Sequence, residues 1–168
     1  MSVVLHSAVG VGHVLAAGVA LGAGTCAVLQ PKRPRRHRYV GGLYVVSMLG
    51  VEWTAFHLYY LFGHFGIVHA GAVGSGLALL VGLGAVAGRT FVRAWRQWHY
   101  LGMGASLVGV YTAFVVESTY RLFPPAYFWW STLGAAGACL LAGGWLLHRH
   151  LPRWPAARPA RRYRPATG

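Results

Sequence analysis

Ionisable side chains set within long apolar runs are the residues of this chain that could do chemistry. The sequence has nine histidines and only two acidic residues. His6 and His13 lie seven residues apart, as do His57 and His64. On a helix this spacing places each pair on one face, about 10 Å apart in depth. Ionisable groups in a membrane segment are functional candidates because exposing them to lipid is unfavourable.

Further ionisable residues occur at both ends of the predicted helices. His69 opens the third apolar run, and Glu117 and Arg121 lie one turn apart near the end of the fourth. Together with the first two pairs they form a histidine-rich outer layer. His37 and His99 each precede or open a run that rises from the opposite, inner side. The sequence therefore predicts candidate sites at two levels.

One chemistry that this arrangement allows is haem b binding with transmembrane electron transfer. In an up-and-down bundle, helices one and three are diagonal neighbours, as are two and four. An imidazole from the first helix could then face His69 across an outer haem, and His37 could face His99 across an inner one. A redox partner or quinone would exchange the electrons. The candidate haem-binding residues are His6, His13, His37, His69, His99 and Arg121.

The alternative chemistry is one outer metal or proton-relay site. His13, His57 and Glu117 would converge there, with His64, His6 or His69 as further ligands. Two imidazoles and a carboxylate suit zinc, copper or iron, and histidines titrate near neutral pH. A structural membrane subunit without a cofactor is the third hypothesis. Enzymatic activity stays open, since it would depend wholly on these histidines.

The elements that would position these residues are membrane-spanning helices. The chain has 168 residues, 56% of them hydrophobic, and a mean hydropathy of +0.48. About 20 apolar residues suffice to cross a bilayer core of about 30 Å. Five stretches meet this length, and they cover residues 3–29, 39–62, 67–88, 98–122 and 128–147. We therefore expect an all-α transmembrane helical bundle in residues 1–147, with a four-helix core plus a fifth helix.

The distribution of charge predicts how the bundle is oriented. Most of the fifteen Lys and Arg residues fall in three segments, 32–38, 89–96 and 149–164. Under the positive-inside rule these segments are cytoplasmic, so the N-terminus is outside and the C-terminus inside a bacterial inner membrane. Residues 148–168 are predicted to be a disordered basic tail lying on anionic lipid. No nucleic-acid partner is expected, because no water-exposed basic platform is visible.

One further pattern extends over roughly residues 6–121. The residues that carry it are His37, Arg38, Gly41, Tyr44, Val45, Val46, Ser47, Met48, a phenylalanine-glycine turn before His69, His99, Met103, Ser106, Glu117 and Arg121. The chain resembles in these positions an uncharacterised family of small bacterial multi-spanning membrane proteins with a domain of unknown function. It departs from that family by lacking a tryptophan and arginines between His99 and Ser106 and by adding a fifth helix. The resemblance implies a four-helix membrane core with histidines at both levels, a layout similar to dihaem b-type cytochromes.

Overall fold

The part of the chain that the structure describes folds into five α-helices. The computed structural model describes residues 7–31, 33–59 and 63–151. The helices in these ranges are α1 Ala8–Leu29, α2 Pro34–Ala55, α3 Ile67–Ala87, α4 Trp95–Thr119 and α5 Phe128–Arg149. Two short 3-10 turns, Tyr120–Leu122 and Pro125–Tyr127, connect α4 to α5. The prediction of an all-α bundle is confirmed. His6, residues 60–62 at the predicted end of the second span, and most of the predicted tail, 152–168, lie outside the described residues.

Four of the five helices are long and apolar enough to cross a bilayer. They are α1, α3, α4 and α5, the last two extended by the 3-10 turns beside them. Although α2 is as long as α1, it is not among them. Its first turns carry Arg35, Arg36 and Arg38, and Glu52 lies near its other end. The composition is thus that of a multi-pass membrane protein in which α2 is the polar helix.

The helices pack as a ring of four with the fifth on the outside. The most extensive contacts join α1 to α2, α3 to α4 and α4 to α5, and smaller contacts of α2 with α3 and of α1 with α4 close the ring. The core lies where α1 to α4 meet and contains Ala20, Ala23, Tyr44, Met48, Leu79 and Val110. Many large apolar side chains on the outer faces are exposed, as expected for helices that face lipid. This arrangement confirms the predicted four-helix core plus a fifth helix.

The second helix ends earlier than the sequence predicts. We expected one span over residues 39–62, but the helix ends at Ala55. Bulky aromatic and β-branched residues, which are weak helix formers, occupy its last turn and the positions after it, namely Trp53, Thr54, Phe56 and His57. His57 therefore lies in a turn and His64 in the loop before α3. The expectation that these two histidines share one helical face was wrong.

The tightest contact between helices occurs where glycines of α3 and α4 meet. A Cβ atom added to Gly102 would lie 2.7 Å from the backbone oxygen of Ala78 and 2.7 Å from the Cα atom of Gly82. Only glycine fits there, because the obstructing atoms belong to the backbone and cannot move aside. Gly18 and Gly22 of α1 and Gly84 of α3 make no such contact, since a Cβ on any of them would meet no described atom within 4 Å.

Replacing Gly102 by alanine should therefore destabilise the bundle. We expect Gly102→Ala to lower the free energy of unfolding in detergent by about 1–3 kcal/mol, because α3 and α4 must separate to admit the methyl group. Thermal unfolding followed by circular dichroism measures this effect. Gly84→Ala is the matched control on α3 and should be neutral or slightly stabilising. Equal stability of the two variants would contradict the close contact.

Candidate functional site

Two histidines from different helices face each other at the end of the bundle where α2 and α4 begin. His37 lies in the first turn of α2 and His99 in the second turn of α4. Their ring centroids are 6.3 Å apart, and the ring planes are nearly perpendicular, at 85°. Both side chains are partly buried. The structure therefore brings together the inner pair that the sequence suggested.

The pair lies in line with further residues of α2 and α4, the two helices that are diagonal to each other across the core. The Tyr44 hydroxyl is 2.7 Å from Ser106 Oγ, and both residues are buried. Met48 and Val110, also buried, belong to the same core cluster. In each pair, the histidines included, the two residues are 62 positions apart in the chain. The two helices thus run parallel and in register, with the histidines at one end of this line of residues.

A hydrogen bond fixes the orientation of the His99 ring. His99 Nδ1 lies 3.0 Å from the backbone oxygen of Gly82. A carbonyl oxygen only accepts, so Nδ1 carries the hydrogen and the lone pair of the neutral ring is on Nε2, the nitrogen that could bind a ligand. Histidines that bind metals commonly donate their other ring N–H in this way. The close contact between Gly82 and Gly102 is what brings α4 near enough for this bond.

The spacing of the pair fits a metal centre held between two imidazoles. Metal–nitrogen bonds of about 2 Å on both sides, with ring radii of about 1.2 Å, would separate the centroids by roughly 6.4 Å. The rings meet in a T-shaped, edge-on arrangement, and they would hold a metal ion with a ring nitrogen of each turned toward it. Beside His37 is a shallow pocket of about 10 Å³, room for about one water molecule. Its lining consists of Cys26, Ala27, Gln30, Pro31, Arg36, His37 and Val40.

The outer histidine of α1 binds to a neighbouring hydroxyl group. His13 Nδ1 lies 2.7 Å from Thr54 Oγ1. The Thr54 hydroxyl donates to the backbone oxygen of Gly50 at 2.6 Å, so its oxygen accepts from the imidazole. This bond ties α1 to the end of α2. Among the described residues no ring contact joins His13 to His69, its predicted outer partner.

His69 is enclosed by aromatic rings instead. It is 2% exposed, and its ring stacks on Tyr59 at a centroid distance of 4.6 Å, with Phe56 and Phe65 also adjacent. Its Nδ1 accepts the backbone N–H of Gly66 at 3.2 Å. The hydrogen of the neutral ring is then on Nε2, which has no hydrogen-bond partner among the described residues. This orientation differs from that of His99, since neither ring nitrogen offers a lone pair for a ligand.

The other two predicted histidines of the outer site, His57 and His64, are each bonded to a nearby backbone oxygen. His57 Nδ1 donates to the backbone oxygen of Trp53 at 2.7 Å, and His64 Nδ1 to that of Phe65 at 2.9 Å. Within residues 7–31, 33–59 and 63–151, no three His, Cys, Asp or Glu side chains come close enough to hold a metal ion.

The acidic residue of the predicted outer site forms an ion pair. Glu117 Oε2 lies 2.8 Å from the Arg121 guanidinium, and both side chains are close to half exposed. A pair of this kind one helical turn apart stabilises a helix by about 0.3–0.5 kcal/mol. Arg121 lies beyond the end of α4, far from the histidine pair at its start. Arg121 is therefore paired with Glu117 and does not lie beside the histidine pair.

Sequence reasoning missed the polar contact that Glu52 makes inside the bundle. Ser75 Oγ donates to Glu52 Oε1 at 2.6 Å, which links α2 to α3. The sequence shows Glu52 within an apolar run but gives no sign of its partner. The sequence does contain a sign that α2 and α4 are aligned. Each inner histidine is followed seven residues later by a residue with a hydroxyl group, Tyr44 after His37 and Ser106 after His99.

The fold and this site define a class, a multi-pass helical membrane protein with a facing histidine pair. No family model, no curated protein and no solved structure matches the chain. The resemblance to a domain of unknown function therefore stays a prediction.

The buried bond between α2 and α4 should respond unequally to removal of its two partners. Ser106 Oγ also donates to the backbone oxygen of Met103 at 2.9 Å, so Tyr44 is the donor to Ser106. Ser106→Ala leaves the buried Tyr44 hydroxyl without this partner and should reduce the free energy of unfolding by about 1–3 kcal/mol. Tyr44→Phe should have a smaller effect, because Ser106 keeps its bond to Met103.

The double variant Tyr44→Phe/Ser106→Ala should be more stable than Ser106→Ala alone, since no orphaned hydroxyl remains. Thermal unfolding of the three proteins in the same detergent gives the comparison. Additive losses would contradict a direct bond between the two side chains.

Proposed function

We propose that this protein binds one haem b between His37 and His99 and takes part in electron transfer at that end of the membrane bundle. The observation that carries the proposal is the ring pair, with centroids 6.3 Å apart on two parallel helices. Axial ligation by two neutral imidazoles from facing helices is an established way of holding haem iron. The haem itself would supply the one-electron chemistry.

Two features of the chain's own residues support this proposal. The Gly82 carbonyl holds His99 in the tautomer whose Nε2 can act as a ligand. Such an outer hydrogen bond also raises the basicity of a ligating imidazole. The register of α2 and α4 keeps the two rings opposed, because the buried Tyr44–Ser106 bond lies two helical turns further along both helices.

Basic side chains at the same end would balance the propionates of the haem. They lie at the start of α2 and around the start of α4, namely Arg33, Arg35, Arg36, Arg38, Arg93 and Arg96. The same residues would place this end at the cytoplasmic face of a bacterial inner membrane. A soluble redox partner or a quinone would then exchange electrons there.

The analogy with dihaem b-type cytochromes suggests a second, outer haem, but we propose a single site. His69 presents no ring-nitrogen lone pair for a ligand, since its Nδ1 accepts a backbone N–H. His13 is bonded to Thr54. A three-ligand outer metal site is supported by no group of side chains within the described residues. The inner pair is thus the best-supported position for a cofactor.

The absorption spectrum of the purified protein tests this function. We expect a Soret band that shifts on reduction, with about one haem per chain. His37→Ala and His99→Ala should each lower the haem content at least about tenfold, because each removes one axial ligand. His57→Ala and His64→Ala are the matched controls at the opposite end and should keep the spectrum. Gel filtration and circular dichroism show whether each variant is folded.

Two results would contradict the proposal. The first is a folded protein that stays colourless after expression with excess haem precursor and after titration with haemin. The second is a Soret band that survives in folded His37→Ala and His99→Ala variants. Stoichiometric zinc or copper by elemental analysis in a colourless protein would instead indicate a metal-ion site.

A further inference from the structure

Glu52 is a carboxyl group placed inside the bundle rather than at its surface. It is half-buried between α2 and α3, where Ser75 Oγ lies 2.6 Å from its Oε1. Glycines make room for this contact. A Cβ added to Gly76 would lie 3.5 Å from the carboxyl carbon, and one added to Gly109 of α4 would lie 2.7 Å from the Ser75 Cβ. The pair therefore occupies a place where three helices approach one another.

No cation neutralises this carboxyl group among the described residues, where the one ion pair joins Glu117 to Arg121 at the end of α4. Ser75 of α3 is bonded to Glu52, and Tyr44 of α2, itself bonded to Ser106 of α4, is close enough to interact with it electrostatically. His13 of α1 is bonded to Thr54, two residues after Glu52 on α2. An unpaired carboxylate in an apolar bundle is unfavourable by several kcal/mol. Binding a proton removes that penalty.

The Ser75 hydroxyl has two partners, and this arrangement satisfies both protonation states of Glu52. Its oxygen lies 2.6 Å from Glu52 Oε1 and 3.1 Å from the backbone oxygen of Ala72. When Glu52 is a carboxylate, the serine hydrogen is donated to it. When Glu52 is protonated, its own O–H can donate to Ser75 Oγ, while the serine hydrogen turns to Ala72. Neither state requires a heavy atom to move.

We infer that Glu52 is a proton-exchange site within the membrane bundle. The Ser75 hydroxyl donates to the carboxylate and accepts from the protonated carboxyl group, so it is hydrogen-bonded to Glu52 in both states. The ligand is a proton, taken up and released by one carboxyl group without a metal. This inference goes beyond the proposed haem site and does not rest on it. Glu52 follows His37 by fifteen residues along α2, which corresponds to about 22 Å.

A hydrophobic carbodiimide tests the site on the full-length protein in lipid vesicles. The protonated carboxyl group transfers its proton to a nitrogen of dicyclohexylcarbodiimide and adds to the central carbon, and acyl transfer to nitrogen gives a stable N-acylurea. No group leaves, so peptide mass spectrometry should find Glu52 heavier by one whole reagent molecule. The labelled fraction should rise as the pH falls.

Matched variants control the labelling experiment. Glu52→Gln keeps the size of the side chain and an oxygen for Ser75, so it should fold normally and lose the label. Glu117→Gln removes the only other acidic residue and should leave the label on Glu52 unchanged. A label confined to Glu117 would overturn the inference.

Infrared difference spectra between acidic and alkaline pH provide a second readout that does not depend on reagent access. We expect a carboxyl C=O band that appears at acidic pH and is absent from Glu52→Gln. The pH midpoint of this band should move by at least about half a unit in Ser75→Ala, which loses the hydroxyl bond.

Ser118→Ala is the control for loss of a hydroxyl group, since Ser118 is exposed and donates only to its own helix at Phe114. It should leave the pH midpoint unchanged. The absence of any carboxyl band assignable to Glu52, in a folded protein across the accessible pH range, would overturn the inference. So would an identical midpoint in Ser75→Ala, which would show that the serine has only a structural role.

Discussion

The close contact between Gly82 of α3 and Gly102 of α4 is the constraint on which the rest of the bundle depends. It fixes the separation and the lengthwise register of two antiparallel helices through their backbones. At the same level, it brings the Gly82 carbonyl to His99. Seven residues along α4, Gly109 faces Ser75, which lies seven residues earlier on α3. One pair of glycines thus positions both the imidazole and the serine.

The polar residues of the core are distributed as pairs that join different helices. Where lipid replaces water, each buried polar group must find its partner inside the protein, and each such pair also fixes one helix against another. Tyr44 with Ser106 joins α2 to α4, His13 with Thr54 joins α1 to α2, and Glu52 with Ser75 joins α2 to α3. All three pairs include a residue of α2, and these residues add to the arginines of its first turns in making it the least apolar helix.

The sequence predicted the helices better than it predicted their contacts. Apolar length identifies α1, α3, α4 and α5 as helices that can cross a bilayer. The order of short connections makes α2 and α4 diagonal neighbours, so the inner pair could be anticipated. The predicted outer pair of His13 with His69 could not be judged from the order of the helices. Its geometry depends on where α2 ends and on how each helix is rotated about its axis. Aromatic and β-branched residues end α2 at Ala55, and the following loop encloses His69 with rings. The Glu52–Ser75 contact depends on helix rotation and has no local signature.

The most direct test of the central claim, that imidazoles from α2 and α4 oppose one another across a shared centre, is electron paramagnetic resonance of the oxidised, haem-loaded protein. Two imidazole ligands, His37 and His99, would give a low-spin ferric signal, and this is the result that the account predicts. A high-spin ferric signal, which indicates one histidine ligand or none, would contradict the account.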